Sequence, residues 1–186
     1  MRRQRIRVWM LVLGAAAVAV LMHAGAPLLQ AQSLTSFAGV ALLAVAAELL
    51  LIRYPLRPEY SDRGIWLSVS TPIVIAVILV YGWQFGVWLD ALITLLAGAV
   101  MVYCRSTRAR WVAVNTFQSI LSAWAAGIAT AMVFETRSGV WNLQSAGALV
   151  LGLLVYMLVN AGLVSVTVAL AEGVRLRWVL AQTLLS

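Results

Sequence analysis

The chain contains no lysine, a single cysteine (Cys104), a single histidine (His23) and only 6 acidic residues among its 186. One cysteine excludes an internal disulfide and a multi-cysteine metal site, and one histidine excludes a histidine-rich metal site or proton relay. The sequence also lacks the motifs of serine hydrolases, zinc proteases, P-loops and dinucleotide-binding folds. We therefore expect no catalytic residues, no metal, no cofactor and no enzymatic activity.

Apolar residues are what the chain has in excess. Hydrophobic residues make up 63% and charged residues 10% of the sequence, and the mean hydropathy is +0.98. Soluble domains contain roughly 45–50% apolar residues. Because only helices and closed barrels satisfy their backbone groups in lipid, the composition predicts an all-α integral membrane protein in contact with the lipid bilayer.

Six apolar segments approach or exceed the length needed to cross a bilayer core of about 30 Å. They are residues 8–22, 34–52, 69–81, 85–103, 112–134 and 146–171. The third is short and carries Pro72 near its start, so we expect an irregular entrance between Ile65 and Thr71. Residues 1–186 form a single transmembrane domain in this interpretation, and the apolar residues after Trp178 suggest a fragment of a longer chain in which a further helix is cut short.

The basic residues are all arginine and fall in short clusters between these segments. Six spans place every arginine except Arg137 on one side of the membrane, and the positive-inside rule then puts both termini in the cytoplasm. The net charge of +7 is thus a topology signal, and nucleic acid is not an expected partner. The pattern is typical of a multi-pass protein of the bacterial inner membrane.

Two ionisable residues lie within the predicted spans and are candidates for function, because ionisable groups in lipid are costly. Glu48 is about one turn from the cytoplasmic end of the second span, and Asp90 is slightly more than one turn below the outer surface. These depths place them in opposite halves of the membrane, which argues against a carboxylate pair. The structural alternatives are a Glu48 side chain that reaches the interface near Arg53 or accepts hydrogen bonds from a neighbouring helix, and an Asp90 side chain that anchors the outer face close enough to water to stay ionised.

The fifth span carries a polar stripe. Residues three and four apart share a helix face, so this stripe comprises Asn115, Ser119, Ser122, Ala126 and Thr130, with Gln118 beside it. Small and hydroxyl side chains favour close helix contact, so we expect the stripe to face protein.

Depth suggests that part of this stripe belongs to a larger polar cluster. Asn115 and Gln118 lie at the predicted depth of Glu48 and of the polar residues that enter the third span, Ser68, Ser70 and Thr71. If the helices are neighbours, these side chains form a cluster open to the cytoplasm that either joins the helices or binds a ligand. The candidate ligand-binding residues are Glu48, Asp90, Asn115, Gln118 and Ser119.

Short motifs in the middle of the chain resemble the N-terminal membrane regions of bacterial signalling proteins that carry HD-GYP phosphodiesterase or diguanylate cyclase domains. These motifs are Ala47-Glu48-Leu49-Leu50, the serine-bearing entrance at residues 68–71, Asn115-x-x-Gln118-x-x-Leu121-Ser122, and Ala126-Gly127. The resemblance extends from about Ala47 to Phe134. It implies a membrane sensor or anchor that acts on a cytoplasmic output domain or partner protein, and it is compatible with a homodimer. Val114 departs from the family, where a bulky aromatic residue often precedes the asparagine.

The six short segments with inner arginine loops are also similar to the substrate-binding subunits of energy-coupling-factor importers. That resemblance implies capture of a small molecule and docking to a separate energising module. Those subunits usually bind on the outer side, whereas the predicted cluster opens inward. A sensor domain and a transporter subunit are therefore the two functions that the sequence leaves open, alongside a purely structural membrane subunit.

Overall fold

A computed structural model describes residues 2–28, 34–53, 70–104, 108–133 and 143–185. Within these ranges the chain is entirely helical. The helices are α1 (Arg2–Leu28), α2 (Leu34–Arg53), α3 (Ser70–Tyr81), α4 (Trp83–Tyr103), α5 (Ala109–Val133), α6 (Leu143–Glu172) and α7 (Leu176–Leu185). The all-α prediction is confirmed for the described residues, and each predicted apolar segment coincides with a helix.

Four of the described helices contain a stretch that is long and apolar enough to cross a membrane. These stretches are Gln4–Gly25, Trp83–Tyr103, Ala109–Met132 and Ser145–Glu172. Shorter apolar stretches lie in α2 (Phe37–Leu49) and in α3, whose 12 residues correspond to a length of about 18 Å. These lengths are compatible with a membrane protein, but α3 by itself is shorter than a bilayer core.

Helices α3 and α4 form a hairpin whose turn is the single residue Gly82. Its backbone has φ 101° and ψ 162°, a conformation that is essentially restricted to glycine. Within the hairpin, a Cβ atom added at Gly86 would collide with the Ile78 side chain. The two glycines therefore permit both the tight turn and the close contact of α3 with α4.

Aromatic rings surround this turn. Phe37, at the start of α2, packs edge-to-face on Phe85 with 4.9 Å between ring centroids and on Tyr81 at 6.4 Å. The His23 ring of α1 stacks on Trp83 at 5.5 Å. We call this the turn end of the bundle, and the opposite end, which contains Arg5, the arginine end.

Helix α5 lies at the centre of the bundle, where it packs against α1, α4 and α6. Its contacts with α4 depend on a glycine of each helix, since a Cβ atom at Gly98 would collide with Val112 and one at Gly127 with Trp83. Between them lies a buried face that includes Ile120 and Ala123.

Helix α7 follows α6 after a short break at Gly173, which has φ 71°. It corresponds to the further helix predicted after Trp178, although it begins earlier, at Leu176. The predicted irregular entrance to the third span is only partly testable, because residues 65–69 lie outside the described part of the chain. Ser70 and Thr71 are helical, and Pro72 fits in the first turn of α3 because the leading N–H groups of a helix have no intrahelical acceptor.

Candidate functional site

Asp90 is buried in the interior of the bundle, with only 2% of its surface exposed. The Tyr156 hydroxyl of α6 donates a hydrogen bond of 2.8 Å to Asp90 Oδ2. The side chain of Thr71, in the first turn of α3, lies near the Tyr156 hydroxyl. Tyr156 therefore lies where α3, α4 and α6 meet, and the alternative of Asp90 as an outer-surface anchor is wrong because the carboxylate is buried in protein.

Glu48 lies at the N-terminus of α3. Its Oε2 atom accepts a hydrogen bond of 3.4 Å from the backbone N–H of Ser70, the first residue of that helix. A helix N-terminus carries unsatisfied N–H groups and a partial positive charge, so a carboxylate there is stabilising. The predicted proximity of Glu48 and Ser70 is confirmed.

The two carboxylates belong to one network. Glu48 interacts electrostatically with Asp90 and with Tyr156. We call Glu48, Ser70, Thr71, Asp90 and Tyr156 the carboxylate network; it brings α2, α3, α4 and α6 together at a common level of the bundle.

The prediction of opposite halves of the membrane overstated how far apart Glu48 and Asp90 lie along the bundle. Phe37 of α2 contacts Tyr81 of α3, and Glu48 of α2 contacts Ser70 of α3. The two contact residues of α2 are as many residues apart as the two of α3, so the helices run side by side between these contacts. Because α3 is only about 18 Å long, its N-terminus, and Glu48 with it, stops well short of the arginine end. Asp90, roughly 12 Å along α4 from the Gly82 turn, is then within a few residues of Glu48 in depth.

Gln118 belongs to a different cluster from the one predicted. It is buried, and its Nε2 atom donates a hydrogen bond of 2.7 Å to the Thr167 hydroxyl of α6. The indole N–H of Trp9 in α1 donates to the same oxygen at 3.0 Å, and Thr167 in turn donates to the Leu163 carbonyl at 2.8 Å. We call Trp9, Gln118 and Thr167 the threonine hub, which ties α1, α5 and α6 together.

Ser119 connects α5 to α4 next to the carboxylate network. Its hydroxyl donates to the Thr116 carbonyl at 3.1 Å and lies 3.3 Å from the Thr94 hydroxyl. Thr94 donates to the backbone carbonyl of Asp90 at 2.7 Å. Ser119 is thus linked to the backbone of Asp90 through one hydroxyl group.

The polar stripe of α5 faces protein at most of its predicted positions. Ser119, Ser122, Ala126 and Thr130 are buried. Asn115 is exposed, so its predicted place on the buried stripe is wrong. Side chains four residues apart on an ideal helix are not exactly in line, so a stripe with this spacing rotates gradually around the helix axis. At Asn115 the stripe no longer faces a neighbouring helix. Ser68, also expected in the cluster, lies outside the described residues.

The side chains that complete both clusters were not among the predicted site residues. Tyr156 and Thr167 lie in α6, and Trp9 lies in α1. Buried tyrosine and tryptophan side chains usually need a hydrogen-bond partner, so Tyr156 in the middle of an apolar segment was a usable signal. Thr167 gave no such signal, because a threonine in a membrane helix can bond its own backbone.

Comparison with known proteins adds no relative, since no family model, no curated protein and no solved structure matches this chain. The chemistry of the site must be inferred from its own groups. In the described part of the chain, no three side chains of the His, Cys, Asp and Glu types cluster as metal ligands. The carboxylate network offers two acidic groups and a phenol.

Proposed function

We propose that this chain is the membrane-embedded sensor or anchor domain of a bacterial signalling protein and is not catalytic by itself. The observation that supports the proposal is the carboxylate network, in which Glu48 meets the N-terminus of a helix too short to cross the membrane alone. Ionisable groups at membrane depth are by default candidates for function.

In this proposal, α3 is the element that changes position. Its N-terminus is held by a long hydrogen bond of 3.4 Å to Glu48 and by the contact of Thr71 with Tyr156, whereas its other end is fixed by the Gly82 turn and the aromatic rings around it. A polar ligand that binds Glu48 from the arginine end would compete with Ser70 and release α3. Two packed arrangements that differ in a few hydrogen bonds are what a switch requires.

The proposed orientation has six spans, with the arginine end in the cytoplasm of a bacterium. Support comes from the exposed arginines of that end, which among the described residues are Arg5, Arg7, Arg108, Arg110, Arg175 and Arg177. The third crossing would combine α3 with the residues that precede it. An output domain after Ser186 would then be cytoplasmic.

A chimera tests the proposal. A diguanylate cyclase domain fused after Ser186 and expressed in a bacterium reports both the side of the membrane and the state of the domain, through the cyclic dinucleotide that it forms. We expect Glu48→Gln and Tyr156→Phe to change output by about fivefold or more at equal folded yield, since a coupling free energy of 1–3 kcal/mol corresponds to about 5–150-fold.

Ser122→Ala provides the matched control. Ser122 is buried, and its hydroxyl donates within α5, to the Gln118 carbonyl at 2.8 Å. The control should leave output unchanged. Folded network variants with the output of the parent chimera would contradict a sensor, and a small molecule transported by the native chain with partner ATPases would show a transporter subunit instead.

A further inference from the structure

Two open grooves meet at the arginine end of the bundle. The first, of about 450 Å³, runs along two turns of α1 and is lined by Gln4, Arg5, Val8, Trp9 and Val12, with Leu170 of α6 opposite. The second, of about 500 Å³, runs along the last turns of α6 to the start of α7 and includes Val166, Ala169 and Leu176. Arg5 and Leu170 line both, so the grooves are adjacent and share one arginine.

We propose that these grooves bind one anionic phospholipid, with its phosphate against Arg5 and one acyl chain in each groove. The pairing of two apolar grooves with a single shared cation matches the two chains and one phosphate of a phospholipid. A guanidinium group binds phosphate with two parallel hydrogen bonds, which gives it an advantage over a simple point charge.

The charge around the grooves also favours an anion. Arg175 and Arg177 are exposed and flank Val174 and Leu176, which line the second groove. Arg7 is exposed near the same end of α1, and the exposed carboxylate of Glu172 only partly offsets these charges. Basic groups between helices at the membrane surface are a recurring site for anionic lipid headgroups.

The apolar walls suit acyl chains rather than a soluble anion. Val8 is 54% and Val12 55% exposed, so the described residues leave about half of each side chain uncovered. Trp9 forms a wall of the first groove and is fixed there by its hydrogen bond to Thr167. A preformed wall lowers the entropy cost of ordering a lipid chain.

The test uses the full chain in detergent, with native mass spectrometry to count bound lipid. We expect phosphatidylglycerol to be retained and phosphatidylcholine to be lost, and we expect soluble glycerol 3-phosphate not to displace the lipid at millimolar concentration. Arg5→Gln should weaken retention about fivefold, which corresponds to about 1 kcal/mol for one basic residue near a membrane surface. Arg5→Lys should give a smaller loss.

Arg108→Gln is the matched control, since Arg108 is exposed at the same end and lines neither groove. Three results would overturn the proposal. They are an equal loss of bound lipid in the Arg5 and Arg108 variants, equal retention of phosphatidylglycerol and phosphatidylcholine, and displacement of the lipid by glycerol 3-phosphate. A photoactivatable phosphatidylglycerol provides a measurement on the unaltered chain. Crosslinks in residues 8–12 and 166–176 support the site, and crosslinks confined to α4 refute it.

Discussion

Removal of the Tyr156 hydroxyl isolates the contact that joins α6 to α4 in the carboxylate network. In Tyr156→Phe the ring remains, and only the donor at 2.8 Å from Asp90 Oδ2 is lost. Because Asp90 is 2% and Tyr156 6% exposed, water cannot readily replace the missing donor. The substitution therefore leaves a buried carboxyl group without its tyrosine partner.

The expected loss of unfolding free energy in Tyr156→Phe follows from two known ranges. Interhelical hydrogen bonds in membrane proteins average about 0.6 kcal/mol and reach about 1.7 kcal/mol. A buried polar group left without its partner costs about 1–3 kcal/mol, and more if it is charged. Glu48 adds to the electrostatic cost at Asp90, so we expect the upper part of the membrane range, about 1.2–1.7 kcal/mol of unfolding free energy.

A double-mutant cycle separates this contact from general effects of each substitution. Asp90→Ala and Tyr156→Phe, alone and combined, are unfolded reversibly in mixed micelles while tryptophan fluorescence is recorded, and the coupling energy between the two positions should be about 1–1.7 kcal/mol. Asp90→Asn keeps an oxygen acceptor and removes the repulsion by Glu48, so it should lie within about 0.5 kcal/mol of the parent.

Tyr103→Phe is the control, because Tyr103 is 89% exposed at the end of α4 and should change stability by less than about 0.5 kcal/mol. A coupling energy below about 0.3 kcal/mol between positions 90 and 156 would refute the reasoning, since that is the level at which independent sites add.

Two further substitutions test the packing of the bundle. Gly86→Ala should destabilise the protein by about 1–3 kcal/mol in the same unfolding assay, because the added methyl group collides with Ile78. Gly39→Ala is the control: the new atom has open space around it, so the substitution should be neutral or slightly stabilising. Equal effects of the two substitutions would contradict the close contact of α3 with α4. Thr167→Val removes the acceptor shared by two other members of the threonine hub and should cost about 1–2 kcal/mol. Thr116→Val removes a hydroxyl that bonds only the Val112 carbonyl of its own helix and should cost less than about 0.5 kcal/mol, so a Thr167 variant no worse than this control would disprove the hub.

The positions of the helices were readable from the sequence because apolar length is a local property. Each predicted segment begins and ends within a few residues of a helix, apart from the first, where α1 extends through the polar residues to Arg2. Depth was not readable in the same way, because it was counted from the loop charges on the assumption that every segment crosses the membrane. The short α3 places Glu48 closer to the depth of Asp90 than the loop charges implied.

Which side chains contact each other within the site could be read even less from the sequence. The periodicity of α5 correctly predicted that Ser119 and Ser122 face protein, but it placed Asn115 on the same face although that residue is exposed. Periodicity cannot show which helix lies opposite, and so it could not pair Gln118 with Thr167.

The sequence by itself thus determined a bundle of apolar helices and identified Glu48 and Asp90 as unusual residues, because the cost of an ionisable group in lipid depends only on its surroundings being apolar. Only the tertiary structure decided that the two acids interact, that Tyr156 donates a hydrogen bond to Asp90 and that Glu48 accepts one from the Ser70 N–H at the start of α3. The physical reason is that these contacts join residues far apart in the chain, and their geometry is set by the length of α3 and by the glycine contacts that bring the helices together.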